Sequence, residues 1–348
     1  MTDAAMGSKG TIMSETYSIG VDLGGTNLRV AAYAGGVDFL DFSVIPTRLA
    51  AGRDQVMHDL CEGIVTLMAR QEGIRRLAGI GIGSPGPLEL PDGILRNPPN
   101  LPGWDGFDLR HAIESELRMP VEIECDANVA ALAEQKLGAG KAHGVDSLCV
   151  LTLGTGVGGG LILNGDIWHG STGMGGEVGH IVVHEEGERC GCGGYGCLEQ
   201  YASATAVVRM ARQIMPEREI ASAHEVALLA EGGDAKAAQV FEQVGHALAI
   251  GLTGLINTLN LPLYLLGGGV CEAWDLFAPT MFREVRARSY VYRLTEPAVL
   301  QPVALERQKT YILGAQLGPA AGLLGACLLP YQKASARTAP TEGSLVHQ

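Results

Sequence analysis

The chain has 348 residues, enough for two domains with well-buried cores. Its formal charge of −13, from 38 acidic and 25 basic residues with no Lys/Arg run, argues against a nucleic-acid surface. Aromatic residues make up only 5 %, while 49 glycines suit tight loops around small ligands.

Residues 1–15 are small and polar, carry no charged-then-apolar signal, and read as a disordered leader in which Met13 offers an alternative start. Tyr17–Asp22 is an apolar strand that breaks into Gly24-Gly25-Thr26-Asn27, and Leu28–Tyr33 and Val37–Ile45 follow as strands in hairpin order. A strand-terminal Asp22 before bare backbone amides can hold magnesium while the turn cradles a phosphate, although Gly-Gly also serves ordinary hairpins. Asp54–Gln71 has helical periodicity, and Leu77–Gly83 is a strand running into the rigid loop Ser84-Pro85-Gly86-Pro87. A second Pro-rich loop spans 97–104, a short helix Arg110–Arg118, and a strand Val121–Cys125. That strand delivers Asp126 to the start of an alanine-rich helix reaching about Leu137. An Asp there is either a plain N-cap or, at the carboxyl end of a buried strand, a catalytic base in a ligand crevice.

Ser147–Leu153 opens the second half as a strand and ends in Gly154-Thr155-Gly156-Val157-Gly158-Gly159-Gly160. The run contains the dinucleotide pattern Gly-x-Gly-x-x-Gly, but a strand and hairpin follow at 161–166 where that fingerprint needs a helix. A glycine hairpin touching part of a polyphosphate fits better, and no P-loop motif exists in the chain.

Next comes Glu177, then His180, Cys190, Cys192, Cys197 and Glu199. Cys₃His is a structural zinc set, and the intervening glycines let the backbone aim the sulfurs inward. A disulfide plus a spare thiol is the competing reading, but Cys-x-Cys neighbours are badly placed for a relaxed bridge. Such a closed metal frame would shape the segment instead of activating water, and would fix Glu177 and Glu199 as acceptors for polyol hydroxyls. Cys61, Cys125, Cys149, Cys271 and Cys327 stand singly and read as buried free thiols in a reducing compartment.

Ser203–Met215, Ala223–Ala230 and Asp234–Asn260 read as helices, and the strand Leu263–Leu266 ends in a third glycine loop, Gly267-Gly268-Gly269. A helix Trp274–Tyr290 follows, then a close-packed internal helix Tyr311–Leu329 with Gly314, Gly318 and Gly322 at four-residue spacing. That last stretch is too short and too polar for a membrane span, and residues 331–348 read as a loose tail. Strand–glycine-turn–strand units at residues 17 and 147 imply a duplicated α/β, ribonuclease-H-like fold. The expected division is a small lobe of 16–125 plus 311–330 and a large lobe of 126–310, each βββαβαβα, around a cleft. The expected location is cytoplasmic.

The Asp22-x-Gly-Gly-Thr-Asn turn, the Gly154 hairpin, Leu266-Gly-Gly-Gly and the Glu177–Glu199 segment together resemble the ROK family of bacterial sugar kinases and sugar-responsive repressors. The resemblance covers roughly residues 17–329 and is most specific in the cysteine segment. It implies a hexokinase/actin-like fold, an ATP-dependent hexose kinase most similar to a glucokinase, and a homodimer. By that likeness Asp126 is the general base, and Gly86, Asn100, Glu177, His180 and Glu199 line the sugar pocket. His180, Cys190, Cys192 and Cys197 would hold structural zinc. Asp22, Gly24, Gly25, Thr26, Asn27, Thr155, Gly156, Gly267, Gly268 and Gly269 would serve ATP and magnesium. The family pattern before the base is usually Asn-Asp; here it is Cys125-Asp126, and a thiol is a poor substitute for an amide toward a sugar hydroxyl. Only about twenty residues precede Asp22, too few for a repressor's DNA-binding domain. Other hexoses, polyphosphate as donor, or a sugar sensor without catalysis are the alternatives.

Overall fold

Apolar runs and glycine turns alternate twice along the chain. The computed structural model, which describes residues 15–338, folds each run into a five-stranded mixed sheet. The first sheet takes β1 (Thr16–Leu23), β2 (Asn27–Tyr33), β3 (Asp41–Pro46), β4 (Arg76–Ser84) and β7 (Val121–Cys125) in the order β3-β2-β1-β4-β7. Between the last two lies a small hairpin of β5 (Leu88–Glu89) and β6 (Ile94–Leu95). The second sheet takes β8 (Leu148–Leu153), β9 (Val157–Leu163), β10 (Asp166–Ile167), β11 (Leu263–Gly267) and β12 (Tyr311–Gly314) in the order β10-β9-β8-β11-β12. In both, the first three strands pair antiparallel and the last two add in parallel. This is the duplicated α/β topology the glycine-turn repeat implied.

Helices α1 (Arg53–Gln71) and α2 (Leu109–Leu117) pack on the first sheet and share its core with Ile19, Val21, Leu60, Ile64 and Ile82. On the second lie α5 (Glu199–Ala202), α6 (Ala204–Ile214), α7 (Ala223–Glu231), α8 (Ala235–Leu259), α9 (Trp274–Arg288) and α10 (Tyr290–Thr295), around a core that includes Leu151, Phe241, Leu252 and Phe277. Each such fully buried apolar side chain contributes about 1.5–3 kcal/mol. The expected helix Trp274–Tyr290 is two helices, because Ser289 stops α9 and its hydroxyl accepts from the Tyr292 amide at 3.0 Å to start α10.

Two helices cross between the halves. Helix α3 (Asp126–Lys136), followed by the short α4 (Ala139–His143), leaves the first sheet through β7 but packs on β8 and β9. Helix α11 (Ala321–Thr338) leaves the second sheet through β12 but packs on β1 and β4, and the two helices pack on each other. Their approach is close enough that a Cβ on Gly325 would fall 1.8 Å from the Val129 carbonyl oxygen.

Several expectations need correction here. Tyr311 begins a strand of the second sheet, not a helix of the first lobe, and α11 starts only at Ala321. The close glycine contact belongs to Gly325, since Gly314 and Gly318 have open space where a Cβ would be. Residues 331–338, expected as tail, are the last turns of α11. The rest of that tail and residues 1–14 of the expected leader lie outside the described residues. Strand β3 starts at Asp41 instead of Val37, behind Gly35 and Gly36.

Candidate active site

The carboxyl ends of β1, β4, β7 and β8 converge on a cavity of about 560 Å³ lined from both sheets. Asp126 sits on its wall because β7 ends at Cys125 and α3 begins at the next residue. Its Oδ1 accepts the Ala127 amide at 2.7 Å, and the Cys125 thiol points at the same oxygen from 3.6 Å. Loss of water, with the charge of Asp22 adding to it, pushes the Asp126 carboxyl up to about 6. A carboxylate so poised is a proton acceptor near neutral pH.

Asp22 lies directly across the β1–β2 ladder from Arg29, which pairs with its Oδ2 and also donates to the Pro319 carbonyl at 2.7 Å. Burial still holds the Asp22 carboxyl above the usual range, despite the guanidinium. Gly24, Gly25, Thr26 and Asn27 line the cavity next to it. The turn is braced from outside, for the Thr47 hydroxyl donates to the Gly24 carbonyl at 2.7 Å and the Thr47 amide to the Thr26 carbonyl at 2.8 Å. Across the cavity, Thr155 and Gly156 turn β8 into β9, with the Gly154 carbonyl accepting the Ala204 amide at 2.8 Å. Of the third glycine loop only Gly268 lines the cavity. Gly267 is the last residue of β11, paired with Thr152, and Gly269 opens a 3₁₀ turn; neither lines this cavity.

Gly86, Asn100, Glu177, His180 and Glu199 all line the same cavity. Glu177 Oε2 is 3.9 Å from His180 Nε2, and burial holds its carboxyl above the usual range, with His180 opposing and Glu199 adding. Glu199 Oε2 accepts the Val157 amide at 3.0 Å, so this carboxylate pins the glycine hairpin while facing the cleft. Cys125 also lines the cavity, its sulfur 3.4 Å from where a Gly86 Cβ would stand.

Behind this wall, donor atoms of His180, Cys190, Cys192 and Cys197 all lie within 4.8 Å of one another. The Cys192 and Cys197 sulfurs are 3.7 Å apart, and Cys190 Sγ is 3.6 Å from His180 Nδ1. Tetrahedral zinc with Zn–S of about 2.3 Å and Zn–N of about 2.0–2.1 Å needs separations of about 3.8 and 3.5 Å. The residues present therefore fit that ion. Gly196 makes the fold of the segment possible, with φ +69° and the His184 carbonyl oxygen 1.7 Å from any Cβ there.

Sequence reasoning missed Arg29, Thr152 and Val44 on the wall, and a groove beside Thr155 made by Thr205, Val208 and Arg212 of α6 with Ser222 and Ala223 at the start of α7. Arg29 was reachable: a tight turn after Leu23 places it opposite Asp22. The groove was not, because its residues come from separate segments with no motif.

The sequence profile of the ROK family matches residues 18–333. A glucokinase of Halalkalibacterium halodurans is 35 % identical over 82 % of this chain and 89 % of its own. The ROK hexokinase of Thermus thermophilus superposes with a TM-score of 0.76 at 34 % identity, covering 92 % of this chain and 99 % of the other. The ROK family glucokinase of Streptomyces griseus, solved with glucose and AMPPNP, gives 0.73 at 29 %, covering 91 % and 99 %. The xylose repressor of Bacillus subtilis also matches, at 29 % identity over 79 % of this chain and 70 % of its own. With the family profile matching residues 18–333 and its two-lobed architecture shared with the Thermus hexokinase, this chain belongs to the ROK family.

Proposed function

We propose that the protein is an ATP-dependent hexose kinase that transfers the γ-phosphoryl group to the 6-hydroxyl of glucose, a glucokinase acting in the cytoplasm at the entry to glycolysis, as a homodimer. The observation that carries this is the facing of Asp126, its carboxyl held near 6, by Asp22 and two bare glycine turns across one cleft. Asp126 takes the proton of the attacking hydroxyl, while Gly86, Asn100, Glu177, His180 and Glu199 hold the remaining hydroxyls. Amides of Gly25, Thr26, Thr155 and Gly156 receive the phosphate oxygens, and the α6–α7 groove beside Thr155 takes the nucleoside. Asp22 would hold the magnesium that comes with ATP, which would neutralise the phosphate charge. His180, Cys190, Cys192 and Cys197 would hold structural zinc, which would set the backbone between Glu177 and Glu199.

A coupled ADP-release assay across a hexose panel tests the reading. ADP release on glucose well above the sugar-free rate supports it; release only on an N-acetylated sugar moves the acceptor and keeps the mechanism. Cys125 beside the base favours a second reading, a sugar sensor without turnover. Silence on every sugar, with glucose still raising the melting temperature, would establish that reading in its place.

A further inference from the structure

The segment from Trp168 to Gly176 leads out of β10 into Glu177 and carries His169, an imidazole not on the cleft wall. His169 Nε2 lies 2.5 Å from Oε2 of Glu124, the residue two before Asp126. The Glu124 side chain is only 5 % exposed. Its other oxygen accepts the Cys125 amide at 2.8 Å and the Asn128 side-chain amide at 2.9 Å. One buried carboxylate therefore fastens the residue before Asp126, the first turn of α3, and the segment that ends in Glu177.

A carboxylate this far from water needs donors on every lone pair and, where possible, a countercharge. The two amides are neutral, and His169 supplies the cation, the hydrogen bond to Glu124 holding its imidazole above the usual range. The ring is 40 % exposed and opens into a second cavity of about 580 Å³, so protons reach it. The other charged groups around that cavity are Glu122 on β7 and Asp166 on β10, which favour the cation, and Arg110 on α2, which opposes it; Gln332 on α11 is neutral.

We propose that His169 is a positioning residue: its ion pair with Glu124 sets the base Asp126 and the sugar ligand Glu177 relative to each other across the cleft. This rests on the kinase reading. The sign follows from the cation. The pair is intact below the ordinary imidazole value of about 6.5 and is lost as pH rises through the higher value of folded His169. Asp126 must be unprotonated to work, with a midpoint of about 6. Activity is then a bell whose acid limb belongs to Asp126 and whose alkaline limb belongs to His169.

The experiment is the pH profile of kcat and KM for wild type, His169→Gln and His169→Arg, joined to an NMR titration of the His169 ring in wild type and Glu124→Gln. Gln keeps a donor without the charge and is expected to lower kcat about tenfold with a smaller change in KM. Arg, a cation at every pH with cavity space to reach Glu124, is expected to keep kcat within about threefold at pH 7 and to abolish the alkaline limb. The ring is expected to titrate above the exposed histidines and to fall back toward them in Glu124→Gln. An unchanged alkaline limb in His169→Arg, a wild-type profile in His169→Gln, or a ring that titrates no higher than exposed His58 overturns the proposal. Absence of turnover in the wild type on any sugar defeats the kinase reading alone, since the ring titration still judges the ion pair.

Discussion

A carboxylate at the first position of a helix ordinarily serves the helix, and Asp126 does accept the amide of Ala127. What sets it apart is cost: removal from water and the nearby charge of Asp22 lift its carboxyl to about 6, against an ordinary value of about 3.9. The ionised form is thus disfavoured in the folded protein. The penalty is absent below about pH 4 and complete above about pH 6, so this residue's contribution makes stability fall with rising pH across that window. Asp126→Asn is expected to cut kcat by about a thousandfold or more, leave glucose affinity within a fewfold, and raise stability by about 1 kcal/mol at pH 7.5, allowing for partial exposure. Near-full turnover removes Asp126 from the role of base; unchanged melting removes the account of its charge. Beside it, Cys125→Asn is expected to raise kcat/KM for glucose about fivefold, because an amide adds a donor and an acceptor worth about 1 kcal/mol where a thiol offers little. A fall would mean that the pocket has adapted to sulfur. Asp126 was legible because it follows the buried strand β7 and opens a helix, and Asp22 because it stands at the end of β1 just before the Gly24-Gly25 turn. The Glu124–His169 pair was not, because the partners are 45 positions apart and neither belongs to a recognisable pattern.

Among the elements, the 177–199 segment was the most legible, since the short spacing of His180, Cys190, Cys192 and Cys197 pointed to the cluster in which their donor atoms lie within 4.8 Å of one another. Its backbone has no regular strand or α-helix before Glu199 and is held by isolated bridges at Val182–Cys197 and Arg189–Tyr195 and by turn bonds such as Leu198 N–H to the Ile181 carbonyl at 2.8 Å and Gly196 N–H to the Glu188 carbonyl at 2.8 Å. Chelation, or Cys192→Ser, is expected to lower the melting temperature by about 10 °C and to raise KM for glucose about tenfold, with the two effects reversed together by added zinc after chelation. A metal-free protein with normal KM would separate the frame from the sugar site. The least legible element was β12. Tyr311–Gly314 is only four residues and runs into glycines and alanines whose spacing imitates a helix packing face. Yet the duplication itself held the answer: β7 followed by α3 in the first half demands a fifth strand followed by a crossing helix in the second. The packing that the glycine spacing suggested is real but one turn further on. Gly325→Ala is expected to destabilise by about 3 kcal/mol or more, since Val129 offers a backbone oxygen that cannot step aside; a neutral result would mean that α3 and α11 are looser than this.

At the scale of the whole molecule, the chain crosses between its halves twice, at Cys125–Asp126 and between Gly314 and Ala321. A kinase must close such a cleft over sugar to keep water from the phosphoryl group, and these crossings are where the backbone can bend. Glu134 ties them together. It is fully buried on α3, one oxygen accepting the amides of Gln316 at 2.8 Å and Leu317 at 2.7 Å, the other accepting Ala139 at 3.0 Å. Bending is then expected at the ends of β7 and β12, outside the residues so fastened, with α3 and the 315–317 segment moving as one piece. Hydrogen exchange reads this directly. Glucose is expected to slow the amides of the 24–27 turn and the 97–104 loop, while Gln316 and Leu317 exchange slowly with and without sugar. Glu134→Gln turns an acceptor into a donor facing an amide, and is expected to cost about 2–3 kcal/mol and to release those two amides. If Gln316 and Leu317 are instead protected only when glucose is bound, the second crossing is itself the hinge, and Glu134 is a latch made on closure.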